Sequence, residues 1–564
     1  MTLGVKRKNK VKYSEVVPSA EKWPIVQLSK NRKDFVELVT KSSIDNILDP
    51  NKKRSLREDL ETTVYREKLR IRSNPWKVDP EDDRSYWKKV QQRLVDCQSL
   101  EDSQASKAEK ELLQEIVQRY SEEIAGNFKK SSYRFAKKFV AFGFARLLNA
   151  ARVKGVMALF SKQLDLDDKV NIIGYPDHIR ELAKRGTVVM VPMHYSNIDS
   201  ILVGWVIQFL GLPPFIYGAG LNLFNIKVIA YFINSLGAYK VDRRKKNPIY
   251  LETLKTYSTE ALRKGCHSLF FPGGTRSRSG KIEKALKLGL LSTTIEAQRL
   301  NYQHDGEQAG KIFIVPVALN YHFTLEAPVL INDYLRAKGQ ERYYVENDEF
   351  STSYKIATFL IKFFTKGSNI SVTIGKGMDV LGNYVDDEGN SYNNQGQQIN
   401  PRDYFITNGA ITVDKQREQE YVRILGKRII EEYHMQNEVF ASHLVAYTAF
   451  RITMRRNPKL DLYSLLRLPE EDLTLDYEEF KANFKKLRKK LYKLNKKGKV
   501  RIAEHLERKA DEAIKHGIRN VGMYHAKRPM VFDKDNDKEI RILDMNTLYY
   551  YHNRLEGYAL EKYL

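Results

Sequence analysis

Between about residue 170 and residue 375 the chain alternates short apolar runs with longer helical stretches, and this alternation restricts the fold more than any other feature. Runs at 187–192 (TVVMVP), 214–217 (PFIY), 267–271 (HSLFF), 312–318 (IFIVPVA) and 370–374 (ISVTI) are of strand length. Helical stretches at 247–264 and 284–299 lie among them. The pattern predicts an α/β fold in which a mixed sheet is flanked by helices.

At 564 residues the chain is too long for one ordinary domain, so the α/β part should carry additions. Residues 1–130 read as a helical, highly charged N-terminal region, 131–430 as the catalytic domain, and 431–564 as a helical C-terminal region. Within 378–405 the sequence is polar and turn-rich, which reads as a surface excursion.

The formal net charge is +25, which calls for an anionic partner or a well-solvated basic surface. No zinc-finger spacing or RNA-recognition signature is present, so a nucleic-acid partner is not expected. Two features suit an anionic lipid surface. Residues 131–162 alternate Phe135, Phe139, Phe142, Leu147 and Leu148 with Lys137, Lys138, Arg146 and Arg152, a basic amphipathic pattern that an ordinary packed helix would also allow. Residues 481–501 form a second, very basic run.

Residues 200–226 are free of charged side chains, but Pro213-Pro214 divides the run into halves too short to span a bilayer. No apolar signal-peptide core follows the basic first residues. Cys97 and Cys266, the only cysteines, have no metal-ligand spacing, and a reducing compartment fits. The expected location is therefore the cytoplasmic side of a membrane, with peripheral or monotopic attachment.

Four segments carry chemistry. The first is HYSNID, 194–199, directly after the strand TVVMVP. Here His194 leaves the strand end, Ser196 or Asn197 caps a helix, and Asp199 lies in its first turn. Asp199 can then accept a hydrogen bond from the imidazole, leaving the other nitrogen to deprotonate a hydroxyl. Alone, the spacing is unspecific, and a structural histidine fits it too.

The third in chain order is FFPGGTRSRSGK, 270–281. Gly273 and Gly274 allow backbone amides close to an anion, Arg276 offers a bidentate fork, and Thr275 and Ser277 add hydroxyls. A polar turn with solvated arginines is the bland alternative, and the spacing is not that of a Walker loop. The second in chain order is LGAYKVDRRKK, 236–246, where Arg243 next to the strand end is the better phosphate ligand and Lys245 and Lys246 read as a solvated face. The fourth is IVPVALNYH, 314–322, a core strand in which Pro316 suggests an edge or a bulge.

In this order the four segments resemble the four blocks of the glycerophosphate acyltransferase family. His194 and Asp199 match its catalytic His-x4-Asp. Gly220 and Asn222 match the GxNL element, and Gly237 and Arg243 match the block after it. Gly274, Arg276, Ser277 and Gly280 match the third block, and Pro316 the fourth. The flanks EKELLQEIVQRYSEEIAGNF and NTLYYYHNRL are similar to those of the larger glycerol-3-phosphate acyltransferases. The resemblance covers roughly 110–560 and is strongest over 185–325.

It implies an acyltransferase core, an acyl-CoA or acyl-carrier-protein donor, a glycerol 3-phosphate acceptor acylated at its sn-1 hydroxyl, and no metal or other cofactor. His194 and Asp199 would be catalytic; Asn222, Arg243, Gly274, Thr275, Arg276 and Ser277 would bind substrate. The alternatives are a lysophosphatidate acyltransferase or a catalytically impaired lipid-surface protein. One departure stands out: family members read Phe-Pro-Glu-Gly or Phe-Val-Glu-Gly in the third block, whereas this chain has Phe271-Pro272-Gly273-Gly274. A carboxylate that helps place the acceptor is missing at 273.

Overall fold

A computed structural model describes residues 13–50, 54–135, 170–221, 235–339, 370–533, 536 and 538–564. Asn222 and most of the basic amphipathic stretch 131–162 lie outside them.

The centre is a seven-stranded mixed sheet. Its strands are β1 (Val170–Gly174), β2 (Gly186–Pro192), β3 (Ile216–Gly220), β4 (Ala238–Val241), β5 (Ser268–Leu269), β6 (Lys311–Tyr321) and β7 (Ile370–Ile374). The spatial order is β1-β7-β6-β2-β5-β3-β4. Strands β6, β2, β5, β3 and β4 run parallel, whereas β7 pairs antiparallel with β6 and parallel with β1. Val188 to Val191 in β2 and Ile312 to Leu319 in β6 are buried throughout, which is why both read as unbroken apolar runs.

Some boundaries differ from expectation for identifiable reasons. The strand placed at 214–217 is Ile216–Gly220, because Pro213 and Pro214 have no N–H for the ladder. Pro316 sits in a central strand rather than at an edge. It is tolerated because β7 pairs only as far as Val317 opposite Ile374, and the next pairing on that side is an isolated bridge between Ile314 and Met378. β1 was not expected, since VNIIG is short, interrupted by Asn171 and only partly buried.

The N-terminal helices Arg32–Ile47, Leu56–Ser73, Asp83–Asp96 and Asp102–Ile124 pack with the helix Pro248–Arg263 around a separate apolar core containing Trp87, Tyr120 and Tyr250. The C-terminal region shares one core with the sheet. The boundary expected between 430 and 431 falls inside the helix Lys415–Gln436. The region is mainly helical, as expected, and also carries a small antiparallel sheet of Thr474–Asp476, Met530–Phe532 and Glu539–Ile542. The excursion after 378 is a meander of two-residue strands. Across 200–221, a helix ending at Phe209 is followed by β3. Among the described residues no helix is long and apolar enough to cross a membrane.

Because the five parallel strands point one way, their carboxyl ends lie along one edge of the sheet. The segments after β2, β4 and β5, which carry the chemistry of the first three motifs in chain order, therefore meet there, beside the carboxyl end of β6, which holds the fourth. This is the edge where open α/β sheets bind ligands.

Candidate active site

β2 ends at Pro192, and the next turn delivers His194 to the sheet edge. His194 Nδ1 lies 2.9 Å from Asp199 Oδ2. The same oxygen accepts from the backbone N–H groups of Tyr195 at 2.6 Å and Ser196 at 2.9 Å. The Tyr321 hydroxyl, from the end of β6, donates to Asp199 Oδ1. Asp199 is wholly buried, so these four donors fix it. With Nδ1 held, the proton sits on the Asp199 side and Nε2 is the nitrogen left for chemistry. The His194 side chain keeps 17% of its exposure. Its ring stacks on Phe271 with centroids 4.1 Å apart.

The expected cap was wrong in detail. The helix begins at Asp199, its N-cap is Ile198, and neither Ser196 nor Asn197 caps it. Both instead engage Glu326: Ser196 Oγ donates at 2.8 Å and the Asn197 N–H at 2.9 Å. Burial pushes the Glu326 carboxyl up, against the pull of the Asn197 N–H and the Arg276 charge. Arg276 Nη1 lies 3.5 Å from the same carboxylate. Glu326 thus ties the third motif to the first, a link that sequence spacing does not signal.

The third motif folds as a tight turn. Gly274 has φ +79°, a conformation that side chains rarely adopt, and its N–H closes the turn on the Phe271 carbonyl at 3.0 Å. That amide is therefore not available to a substrate anion. Ser277 was expected to offer its hydroxyl, but its Oγ donates to the Lys281 carbonyl at 2.8 Å and its N–H to the His194 carbonyl at 2.7 Å. It secures the turn to the histidine. Thr275 is exposed and Arg276 half-buried.

The DRRKK run divides by partner. Arg243 is exposed. Arg244 pairs with Asp242 and Asp79 and lies over the Trp76 ring. Lys245, expected in a solvated face, is buried against Glu123 from the N-terminal helices; Lys246 is exposed. The N-terminal region thereby anchors this loop and leaves Arg243 at its surface.

The C-terminal segment completes the site. Arg554 lies over the Tyr195 ring at 3.9 Å and donates to Asn320 Oδ1 at 2.7 Å and Asn437 Oδ1 at 3.0 Å. Asn553 Nδ2 donates to the Ser279 carbonyl at 2.8 Å, and Lys281 pairs with Glu556 at 2.6 Å. Gly280, φ +78°, passes so close to the Tyr550 carbonyl that a Cβ would lie 2.3 Å from it. The resemblance of NTLYYYHNRL to family flanks was the signal here, although it did not say what the segment touches.

A histidine oriented by a buried aspartate thus lies beside a glycine turn bearing an arginine, all at the carboxyl edge of the sheet. Residues 176–320 match the family model described as Acyltransferase. The relatives that the chain matches are named glycerol-3-phosphate acyltransferases. The chain is 34% identical over 168 residues to the one from Haemophilus influenzae (strain PittEE), covering 29% of this chain and 20% of that protein. It is 27% identical over 244 residues to the one from Histophilus somni (strain 129Pt), covering 43% and 26%. For Actinobacillus succinogenes the figures are 28% over 261 residues, 46% and 28%. The chain thus spans between a fifth and a third of the length of these relatives. A solved 1-acyl-sn-glycerophosphate acyltransferase from Thermotoga maritima aligns at 16% identity over 53% of this chain and 92% of its own, with a TM-score of 0.25.

Proposed function

We propose that the chain transfers a fatty acyl group from a thioester, acyl-CoA or acyl-carrier protein, to the sn-1 hydroxyl of glycerol 3-phosphate. The observation that carries this reading is the His194–Asp199 pair, with Nε2 of the ring left for chemistry next to the Arg276 turn. Relatives named glycerol-3-phosphate acyltransferase support the acceptor.

In the proposed reaction Nε2 of His194 takes the hydroxyl proton as the oxygen attacks the thioester carbonyl. Asp199 stabilises the imidazolium through Nδ1. The tetrahedral intermediate collapses, the C–S bond breaks, and the thiolate takes the proton back from Nε2. Arg243 and Arg276 hold the acceptor phosphate, and fixing the hydroxyl against the ring supplies much of the rate. The working place is the cytoplasmic face of a membrane, reached by peripheral contact with anionic lipid, where the acyl product would remain.

The deciding experiment is a product assay with glycerol 3-phosphate and lysophosphatidate at matched donor. The expected product is lysophosphatidate from glycerol 3-phosphate. Turnover with lysophosphatidate alone would overturn the acceptor while leaving acyl transfer in place.

A further inference from the structure

Gly273 is the one place where the third motif departs from the family it resembles, yet the space beside it is filled. A Cβ built on Gly273 would lie 2.9 Å from Glu283 Oε1, 3.4 Å from its Cγ and 3.6 Å from its Cδ. The Glu283 carboxyl therefore occupies the volume that a side chain at 273 would enter. Gly273 is not among the positive-φ glycines, so its backbone does not itself demand glycine, and the atoms nearest a Cβ there are all from Glu283.

The backbone N–H of His194 lies close enough to the same carboxyl to favour its charged form. Asp199, Arg554, Tyr195 and Tyr433 are the other titratable groups close enough to act on it or be acted on by it. Part of the residue's stem reaches the surface, but Oε2 is buried and has no hydrogen-bond partner among the described residues. An apolar side chain would fill such a place at less cost, so a carboxyl kept there needs a reason.

We propose that Glu283 is the positioning carboxyl of this site, reaching into the place beside Gly273 and bracing the backbone that carries His194. The inference rests on the acyl-transfer reading for its kinetic consequences and on geometry for its placement. Burial supports it: the carboxyl is pushed up to about 7, against the pull of Arg554 and the His194 N–H and with help from the Asp199 charge. A perturbed acid beside a catalytic histidine is typical of functional sites.

The test compares Glu283→Ala, Glu283→Gln, Gly273→Glu and the double variant Gly273→Glu/Glu283→Ala in the full chain. Turnover is measured with an acyl-CoA donor and glycerol 3-phosphate, and hydrogen exchange is followed over residues 193–199. Glu283→Ala should lower kcat by about tenfold or more, hold acceptor KM within about threefold, and speed exchange of the His194 turn. Glu283→Gln keeps the volume and an acceptor oxygen beside Gly273 and should keep kcat within about threefold. The double variant, with the carboxyl returned to 273, should recover most of the lost kcat. Gly273→Glu alone should give no gain, because the place is taken.

Wild-type kcat and unchanged exchange in Glu283→Ala would overturn the proposal, as would a loss that the double variant does not reverse. A gain from Gly273→Glu alone would also overturn it, and that arm decides if Glu283→Ala does not fold. A wild-type chain inactive with either acceptor would count against acyl transfer itself, and the exchange measurement would still judge Glu283.

Discussion

Arg276 and Glu326 face each other at 3.5 Å, and Glu326 also grips the turn after His194 through Ser196 and Asn197. The phosphate-binding arginine of the proposed site is therefore oriented by a buried acid that belongs to the histidine loop. Glu326 is 2% exposed and Arg276 retains 12% of its side-chain exposure, so a phosphate can meet the guanidinium while the carboxylate stays covered.

Arg276→Ala should raise acceptor KM by roughly 10- to 100-fold, the loss of one charge-assisted contact of about 1.5–3 kcal/mol. Lysine should recover only part of it, since an ammonium lacks the planar fork. Acceptor titration checks this, and an unchanged KM in the alanine variant would remove Arg276 from phosphate binding.

Tyr321→Phe deletes the hydroxyl that donates to Asp199 Oδ1. One hydrogen bond to a charged group is worth about 1.5–3 kcal/mol, so kcat should fall roughly tenfold or more. Acceptor KM should stay the same, because Tyr321 acts through Asp199. Steady-state kinetics separate the two constants; a change confined to KM would place Tyr321 in acceptor binding instead.

Glu283 makes stability depend on pH. Its folded-state value, about 7, lies above the ordinary 4.5, so the folded chain holds the proton more tightly than the unfolded chain. That contribution is full below about pH 4.5 and is lost as the pH rises through 7. Glu283→Gln should therefore be stabilised relative to wild type as pH increases, by at most about 3 kcal/mol at pH 8. Thermal melts of both proteins from pH 5 to pH 8 measure it, and a difference that does not grow with pH would contradict the shift.

Much of the sheet was readable because β2 and β6 are buried on both faces and so read as unbroken apolar runs. The edge strand β1 escaped notice for the opposite reason. In the site, His194 and Asp199 were readable because they sit in one turn. Tyr321, Glu326 and Arg554 reach the same place from distant segments, so no local spacing betrays them. Lys245 shows the limit of reading charge runs as surface: Glu123, far along the chain, neutralises it in the interior. Glu283 was near enough in sequence to suspect, but only the fold places its carboxyl beside Gly273.

Membrane attachment is proposed to rest on charge as well as apolar contact. In the helix Tyr477–Lys496, Lys485, Lys486, Lys489 and Lys493 are exposed along neighbouring turns. Co-sedimentation with vesicles should be stronger with anionic lipid and should weaken as salt shortens the Debye length from about 10 Å at 0.1 M. Replacing Lys485, Lys489 and Lys493 by glutamate should weaken it further. Binding indifferent to salt and lipid charge would argue against this face.

The most direct measurement is the turnover of His194→Ala with glycerol 3-phosphate and an acyl-CoA donor, alongside acceptor binding to the same variant. Removing a general base should lower kcat by about 10² to 10⁴ while phosphate binding through Arg243 and Arg276 survives. A variant that turns over at close to the wild-type rate would contradict the account, since the chemistry would then not pass through His194.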